Sequence, residues 1–275
     1  LARAGAVRSS LIGRVQAIEA SGGTSIAPAL AQGLRALDDA GRGRVKRVVL
    51  ASDGLDGTRA QSEAIARQSA GRGVTVSSMG IGLDFDESYM GSVAKAGHGN
   101  FAFVKDGAAL TAFLQRELVE TATTTIEAAT ARITLPVGVR FVRAIGADAR
   151  PIEGGREIEL SLGSLFAGDE RRVIVELAAS IGAGDLRAFE GTVAWSNVGG
   201  DGSQARFAGV SLQGTTDVLA VNASRDGNVL AHATSALASI RQIEAAQAYA
   251  QGDTGRAQAI IDRNVADLAA AATAA

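Results

Sequence analysis

Gly22-Gly23-Thr24-Ser25 stands directly before an apolar helical pattern, and Asp53 stands just past a short apolar run that ends at Ala51. A hydroxyl and a carboxylate are hard oxygen donors, the kind taken by Mg²⁺ or another hard divalent cation. If the run is a strand of an open parallel sheet, both groups fall outside the carboxyl ends of the strands, where such sheets bind ligands. Thr24 and Ser25 are also natural helix N-caps, and the glycines are natural turn residues, so local structure alone explains the turn equally well. Asp56, in Asp53-Gly54-Leu55-Asp56-Gly57, is either a further oxygen ligand or a turn residue.

Other chemistries are poorly represented. The chain has 275 residues and no cysteine, which excludes disulfides, thiolate catalysis and cysteine metal sites and fits both a reducing cytosol and a disulfide-free envelope. Two histidines, His98 and His232, are too few for a multi-histidine centre. His98 reads as a solvated residue of a glycine-rich turn, and His232 as a packed or exposed residue of a helix. The glycine turn before a helix can hold an anion, which makes a phosphate-binding α/β enzyme the alternative to a binding module. Against it, the turn lacks the lysine of GxxxxGK[ST] and the GxGxxG spacing, and the chain has no GxSxG elbow. No catalytic residue is therefore assigned. A net charge of -2 argues against a nucleic-acid partner. No run reaches the roughly 18 apolar residues that span a bilayer. The chain starts with Leu1, and Leu1–Ser10 has two arginines and no apolar centre, so a fragment or processed product without signal peptide is expected.

The surrounding pattern supplies elements to position these groups. Val7, Leu11, Val15 and Ile18 repeat at helical spacing. A second helix is expected from Ile26 to about Asp39, with Pro28 harmless in its first turn. Val45–Ala51, Val74–Ile81 and Phe101–Val104 read as adjacent strands. Helices capped by Thr58, Asp86 and Asp106 lie between and after them, the last with Leu110, Phe113, Leu114 and Leu118 on its apolar face. This alternation predicts a parallel sheet with helices on both faces. After about residue 124 the period becomes two, over Ile126–Leu135, Val139–Ala144, Glu157–Leu162, Arg172–Leu177 and Phe189–Trp195, which predicts an antiparallel sandwich-like module with Trp195 in its core. Two helices around Gln251-Gly252-Asp253 close the chain as an αα-hairpin. The expected division is 1–122, 123–214 and 215–275.

GGTSIAPAL followed by RVVLASDG resembles the central part of a von Willebrand factor A-type (VWA) domain, a Rossmann-like α/β fold. VTVSSMGIG is similar to the next strand of that family and AGHGNFAFV to its last, so the resemblance covers about the first 120 residues. It implies a protein-binding, adhesion or scaffold module rather than an enzyme. It also implies that Thr24 and Asp53 belong to a metal-ion-dependent adhesion site, where Mg²⁺ meets a carboxylate donated by a protein ligand. The family's Asp-x-Ser-x-Ser motif occurs nowhere in the chain; the family places it on a first strand, upstream of Leu1. The resemblance thus implies an N-terminally truncated, bacterial-type VWA protein with weak or no metal binding, since Mg²⁺ takes about six oxygens. A purely structural module without metal is the remaining alternative. Without that first strand, Val45–Ala51 is expected to expose a sheet edge through which the chain self-associates.

Overall fold

The computed structural model describes residues 4–19, 23–41, 43–53, 55–82 and 85–274. The chain divides into two compact units, one of residues 1–131, 161–169 and 193–205, the other of residues 132–160, 170–192 and 206–275. In the first unit, helices α1 (Ala4–Gln16) and α2 (Ile26–Arg35) precede strand β1 (Lys46–Ser52). Helix α3 (Arg59–Ala70), strand β2 (Val74–Ile81), helix α4 (Glu87–Ala96), strand β3 (His98–Val104) and helix α5 (Gly107–Thr123) follow. The three strands form one parallel sheet in the order β1-β2-β3, with Lys46 opposite Val74 and Ser52 opposite Gly80. A register shift between Val76 and Ser78 brings Phe101 opposite Ser78 and Ala102 opposite Met79.

Strand alternation sends successive side chains to opposite faces of this sheet. Val48 and Leu50 of β1, Val76 of β2 and Phe101 of β3 meet α2, α3 and α4 through Ile26, Leu30, Ala66, Tyr89, Met90 and Val93. Val49, Met79, Ala102 and Val104 point the other way and meet Leu110 and Phe113 of α5. Helices therefore cover both faces. The strand buried on both is β2, whose residues from Thr75 to Gly80 are all buried; its serines are satisfied by Ser78 Oγ donating to Met90 O at 2.7 Å and Ser77 Oγ accepting from Asn100 N at 3.1 Å. β1, although apolar in sequence, is mostly half-buried and lies at the edge of the sheet.

Glycine matters where β3 begins. A Cβ on Gly99 would stand 2.3 Å from the carbonyl oxygen of Val76, and one on Gly97 would stand 2.4 Å from the Val76 Cβ, so only glycine permits the close approach to β2. His98, between them, is half-buried and adopts φ 53°, with its ring against Gly163. The expectation of a solvated loop histidine is corrected: the two glycines draw the backbone onto β2 and the ring inward.

α5 also departs from its expected face. Phe113, Glu117 and Glu120 are buried, whereas Leu114 is 37% and Leu118 69% exposed. The carboxylates turn inward because Arg47 of β1 waits under the helix: its Nη1 donates to Glu117 Oε2 at 2.8 Å and Glu120 Oε2 at 2.9 Å. Asn100 Nδ2 donates to both glutamates at 2.7 Å, and Arg116 Nε donates to Glu120 Oε1 at 2.8 Å. A periodicity of apolar residues cannot detect a buried face built from charges.

Strands β4 (Thr124–Thr134), β7 (Glu157–Phe166) and β9 (Leu186–Asn197) match the period-two segments, as do β5 (Val139–Ile145) and β8 (Ile174–Ala179), which pair antiparallel. β6 (Asp148–Ile152) and β10 (Gly202–Gln213) were not expected; they are the two edges of a five-stranded sheet ordered β10-β9-β4-β7-β6. An edge is where Pro151 can sit without breaking a ladder. Trp195 is half-buried rather than central. A short helix α6 (Val218–Ala223) leads into the hairpin of α7 (Gly227–Ala250) and α8 (Thr254–Ala274), turned at Gly252 with φ 81°. The buried residues of the hairpin are Ala238, Ala245, Ala248, Ala257 and Asn264, while Ile243, Ile261, Val265 and Leu268 remain exposed. His232 lies on the exposed side of α7, with Nε2 3.3 Å from Arg172 Nη1.

Candidate functional site

The carboxyl ends of β1 and β2 face the loop between β1 and α3 and the turn that leads into α2. Thr24 precedes Ile26, the first residue of α2, by two positions, and Asp53 directly follows β1. Both are exposed, and among the described residues neither side chain has a hydrogen-bond partner. Gly22 and Gly54, quoted with them in the sequence motif, lie outside the described residues.

One carboxylate joins the two segments, and it is that of Asp56. Its Oδ2 accepts the N–H of Ile26 at 2.5 Å, and its Oδ1 accepts the N–H of Thr58. The Thr58 hydroxyl accepts the N–H of Ala27 at 3.3 Å and lies 3.3 Å from the Tyr89 hydroxyl, which in turn is 2.7 Å from Ser62 Oγ. Ser25 occupies the N-cap position of α2 but makes no side-chain cap, and Thr58 makes none for α3. The capping work for α2 is done instead from 30 residues away. A carboxylate at a helix N-terminus also meets the positive end of the helix dipole. Hydrogen bonding from the Thr58 side chain, then from the Ile26 N–H, holds the Asp56 carboxyl below the ordinary range despite the opposing effect of burial.

The site's chemistry follows from these bonds. Both Asp56 oxygens accept backbone donors, so the carboxylate clasps the two loops together. The first two N–H groups of α2 are likewise engaged, so an anion at the glycine turn would have to displace Asp56 and Thr58. Thr24 and Asp53 fit a hard divalent cation in kind, as one hydroxyl and one carboxylate. They do not fill its shell: among the described residues, no group of three or more His, Asp or Glu could hold a metal ion. Spacing could not reveal the role of Asp56, because its partners are set by the fold; the three-residue step from Asp53 to Asp56, within a loop otherwise rich in glycine, was the available signal.

No helix of the described residues is long and apolar enough to cross a membrane. Comparison with curated proteins gives no match. Among solved structures, a von Willebrand factor type A protein from Catenulispora acidiphila has a similar fold, with a TM-score of 0.78 at 20% identity over 97% of this chain and 64% of that one. The human COPII-coat protein Sec24c is similar at a TM-score of 0.64 and 14% identity, over 98% of this chain and 39% of that one. The chain thus spans less than two thirds of the length of either, and identities this low establish the fold alone. The family model of the von Willebrand factor type A domain, a protein-interaction fold that generally carries a divalent metal, matches residues 3–116. That match covers less than half of the chain, and the parallel sheet with its two helical layers agrees with it.

Proposed function

We propose that this chain is a protein-binding or scaffold module, without catalytic activity, whose ligand docks at the carboxyl-terminal edge of the β1-β2-β3 sheet. The observation that carries this reading is the convergence of the α2 turn and the post-β1 loop, joined by Asp56 and leaving the Thr24 hydroxyl and Asp53 carboxylate exposed at that edge. A cation there would be held in part by Thr24 and Asp53, with a carboxylate from a protein ligand completing its shell. The Lewis acidity of the cation would supply the attraction; the protein would supply orientation through the two loops. In this reading residues 1–122 are the interaction domain, 123–214 a β module and 215–275 a helical tail.

Two donors are too few for tight binding, since dedicated oxygen-ligand sites that reach about 10⁻⁶ M use most of a full shell. Calorimetry with Mn²⁺ and Mg²⁺ should give weak heats that disappear in Asp53→Ala. Heats that persist unchanged in Asp53→Ala and Thr24→Ala would place the cation elsewhere. The open edge of β1 belongs to the same reading as a pairing surface for a further strand, with a second copy of the chain as the simplest source. Light scattering tests it: a monomer at all concentrations would mean the edge is already covered.

A further inference from the structure

Asp56 ties together two segments that local sequence leaves independent. The N–H of a helix's first residue has no acceptor within the helix, so the Ile26 N–H depends on what the fold brings to it, and the fold brings Asp56 Oδ2 at 2.5 Å. The other oxygen of the same carboxylate takes the Thr58 N–H, which fixes the orientation of the group. A second strap runs in parallel, from the Ala27 N–H to Thr58 Oγ1. That strap is anchored below by Tyr89 and Ser62, both completely buried, so the clasp rests on the packed layer of α3 and α4 rather than on solvent-exposed loop. Chain reach then limits what the candidate ligands can do. Two residues span at most about 7 Å and three about 11 Å, which are the tethers from Ile26 to Thr24 and from Asp56 to Asp53. With the clasp closed, both donors are confined to one small region at the sheet edge. With the Asp56 bonds broken, the α2 turn and the post-β1 loop keep the Ala27–Thr58 strap and the packing of Ile26, but lose the bonds that fix the Asp56 carboxylate between them.

We propose that Asp56 is a positioning residue, whose carboxylate clasps the post-β1 loop to the first turn of α2 and so holds Thr24 and Asp53 in register with each other. The proposal rests on the reading of Thr24 and Asp53 as the ligand pair, and its test separates the two. The variants are Asp56→Ala, which removes both acceptors, Asp56→Asn, which keeps one carbonyl oxygen, and Thr58→Val, which removes only the second strap. Amide hydrogen exchange and amide chemical shifts are measured by NMR on the whole chain, with protection of the Val76 amide in β2 as the control for folding.

In Asp56→Ala the Ile26 amide should exchange at least about tenfold faster, because no helical acceptor replaces Asp56. The amide resonances of both Thr24 and Asp53 should shift, Asp56→Asn should fall between wild type and alanine, and Thr58→Val should release Ala27 more than Ile26. Exchange at Ile26 within twofold of wild type, or resonances of Thr24 and Asp53 that stay in place, overturns the proposal. A Mn²⁺ titration is read separately. In the wild type, Thr24 and Asp53 should broaden together, and in Asp56→Ala several-fold more Mn²⁺ should be needed. A wild type that shows no broadening at either residue removes the metal reading, while exchange and shifts still decide the clasp.

Discussion

The two faces of the β1-β2-β3 sheet are held by different physics. Under α2, α3 and α4 the contacts are apolar and interlocked: Leu30, Val76, Met90 and Val93 are all at most 1% exposed. Under α5 the apolar contribution is small, with Met79, Val104 and Phe113, and the helix is pinned by Arg47 to Glu117 and Glu120. Apolar packing is non-directional and tolerates a small slide of one element over another. A guanidinium bridging two carboxylates does not, because one helical turn of slip would leave at most one of the two glutamates within reach. The first face supplies cohesion and the second fixes the placement of one helix.

Breaking each face in turn sharpens that contrast. The largest effect is expected from Arg47→Ala, which leaves two buried carboxylates without their shared cation. The cost should be roughly 3–5 kcal/mol, read as a loss in urea denaturation. Leu30→Ala on the other face should cost about 3 kcal/mol, within the range for a fully buried leucine. It should leave the NMR signals of α5 in place, whereas Arg47→Ala should displace them. Replacing the three buried ions, Arg47→Met with Glu117→Leu and Glu120→Leu, should recover part of the loss, since exchanging buried ions for well-packed apolar groups is often neutral or better, while the Asn100 amide loses both acceptors. A triple variant as unstable as Arg47→Ala would show that the ions contribute cohesion after all.

Acid provides a gentler probe. Burial pushes the Glu120 carboxyl up, but hydrogen bonds from Arg116, Arg47 and Asn100 outweigh it, and its pKa lies below the ordinary value. A depressed folded-state pKa means that the stabilisation is complete above the unfolded value, about 4.3. It is lost as pH falls through the lower folded value. Stability should therefore decline below about pH 4 in the wild type and decline less in the triple variant. Parallel acid limbs in the two proteins would exclude the cluster as the source. The smallest effect is expected at the half-buried i,i+4 pair of Arg59 and Glu63, where Ser92 still holds Glu63 and Arg59→Ala should change stability by about 0.5 kcal/mol.

The same contrast explains what could be read from residue order. Regularities within an element were visible: the three strands and their adjacency, the caps by Asp86 and Asp106, the period-two stretches and the Gly252 turn all match the expected pattern. Relations between distant elements were not. Arg47 and Glu117 are 70 residues apart, and nothing in the pattern of α5 distinguishes an inward glutamate from a solvated one, so the exposed Leu118 was placed on the wrong face. The hairpin of α7 and α8 misled similarly, since alanines line its contact and the larger Ile261 and Val265 remain outside. At the candidate site, Thr24 and Asp53 stood out by residue type, whereas the bond from Asp56 to Ile26 requires the folded loop to be seen.

That bond has a consequence for the order in which the chain becomes structured as it is made. The N-terminal turn of α2 is completed by a residue synthesised 30 positions later. At about 5–20 residues per second of translation, the turn waits roughly two to six seconds for its acceptor. Once Arg35 is added, α2 has its full sequence but still lacks the carboxylate that satisfies its first amide, and a ten-residue helix is marginal in water by itself. Ribosome-bound chains stalled after Ala51 should therefore show a frayed α2, whereas chains in which Thr58 has cleared the exit tunnel should show a formed one. Helix and clasp arrive together, so the edge that carries Thr24 and Asp53 is assembled in a single late step rather than piece by piece.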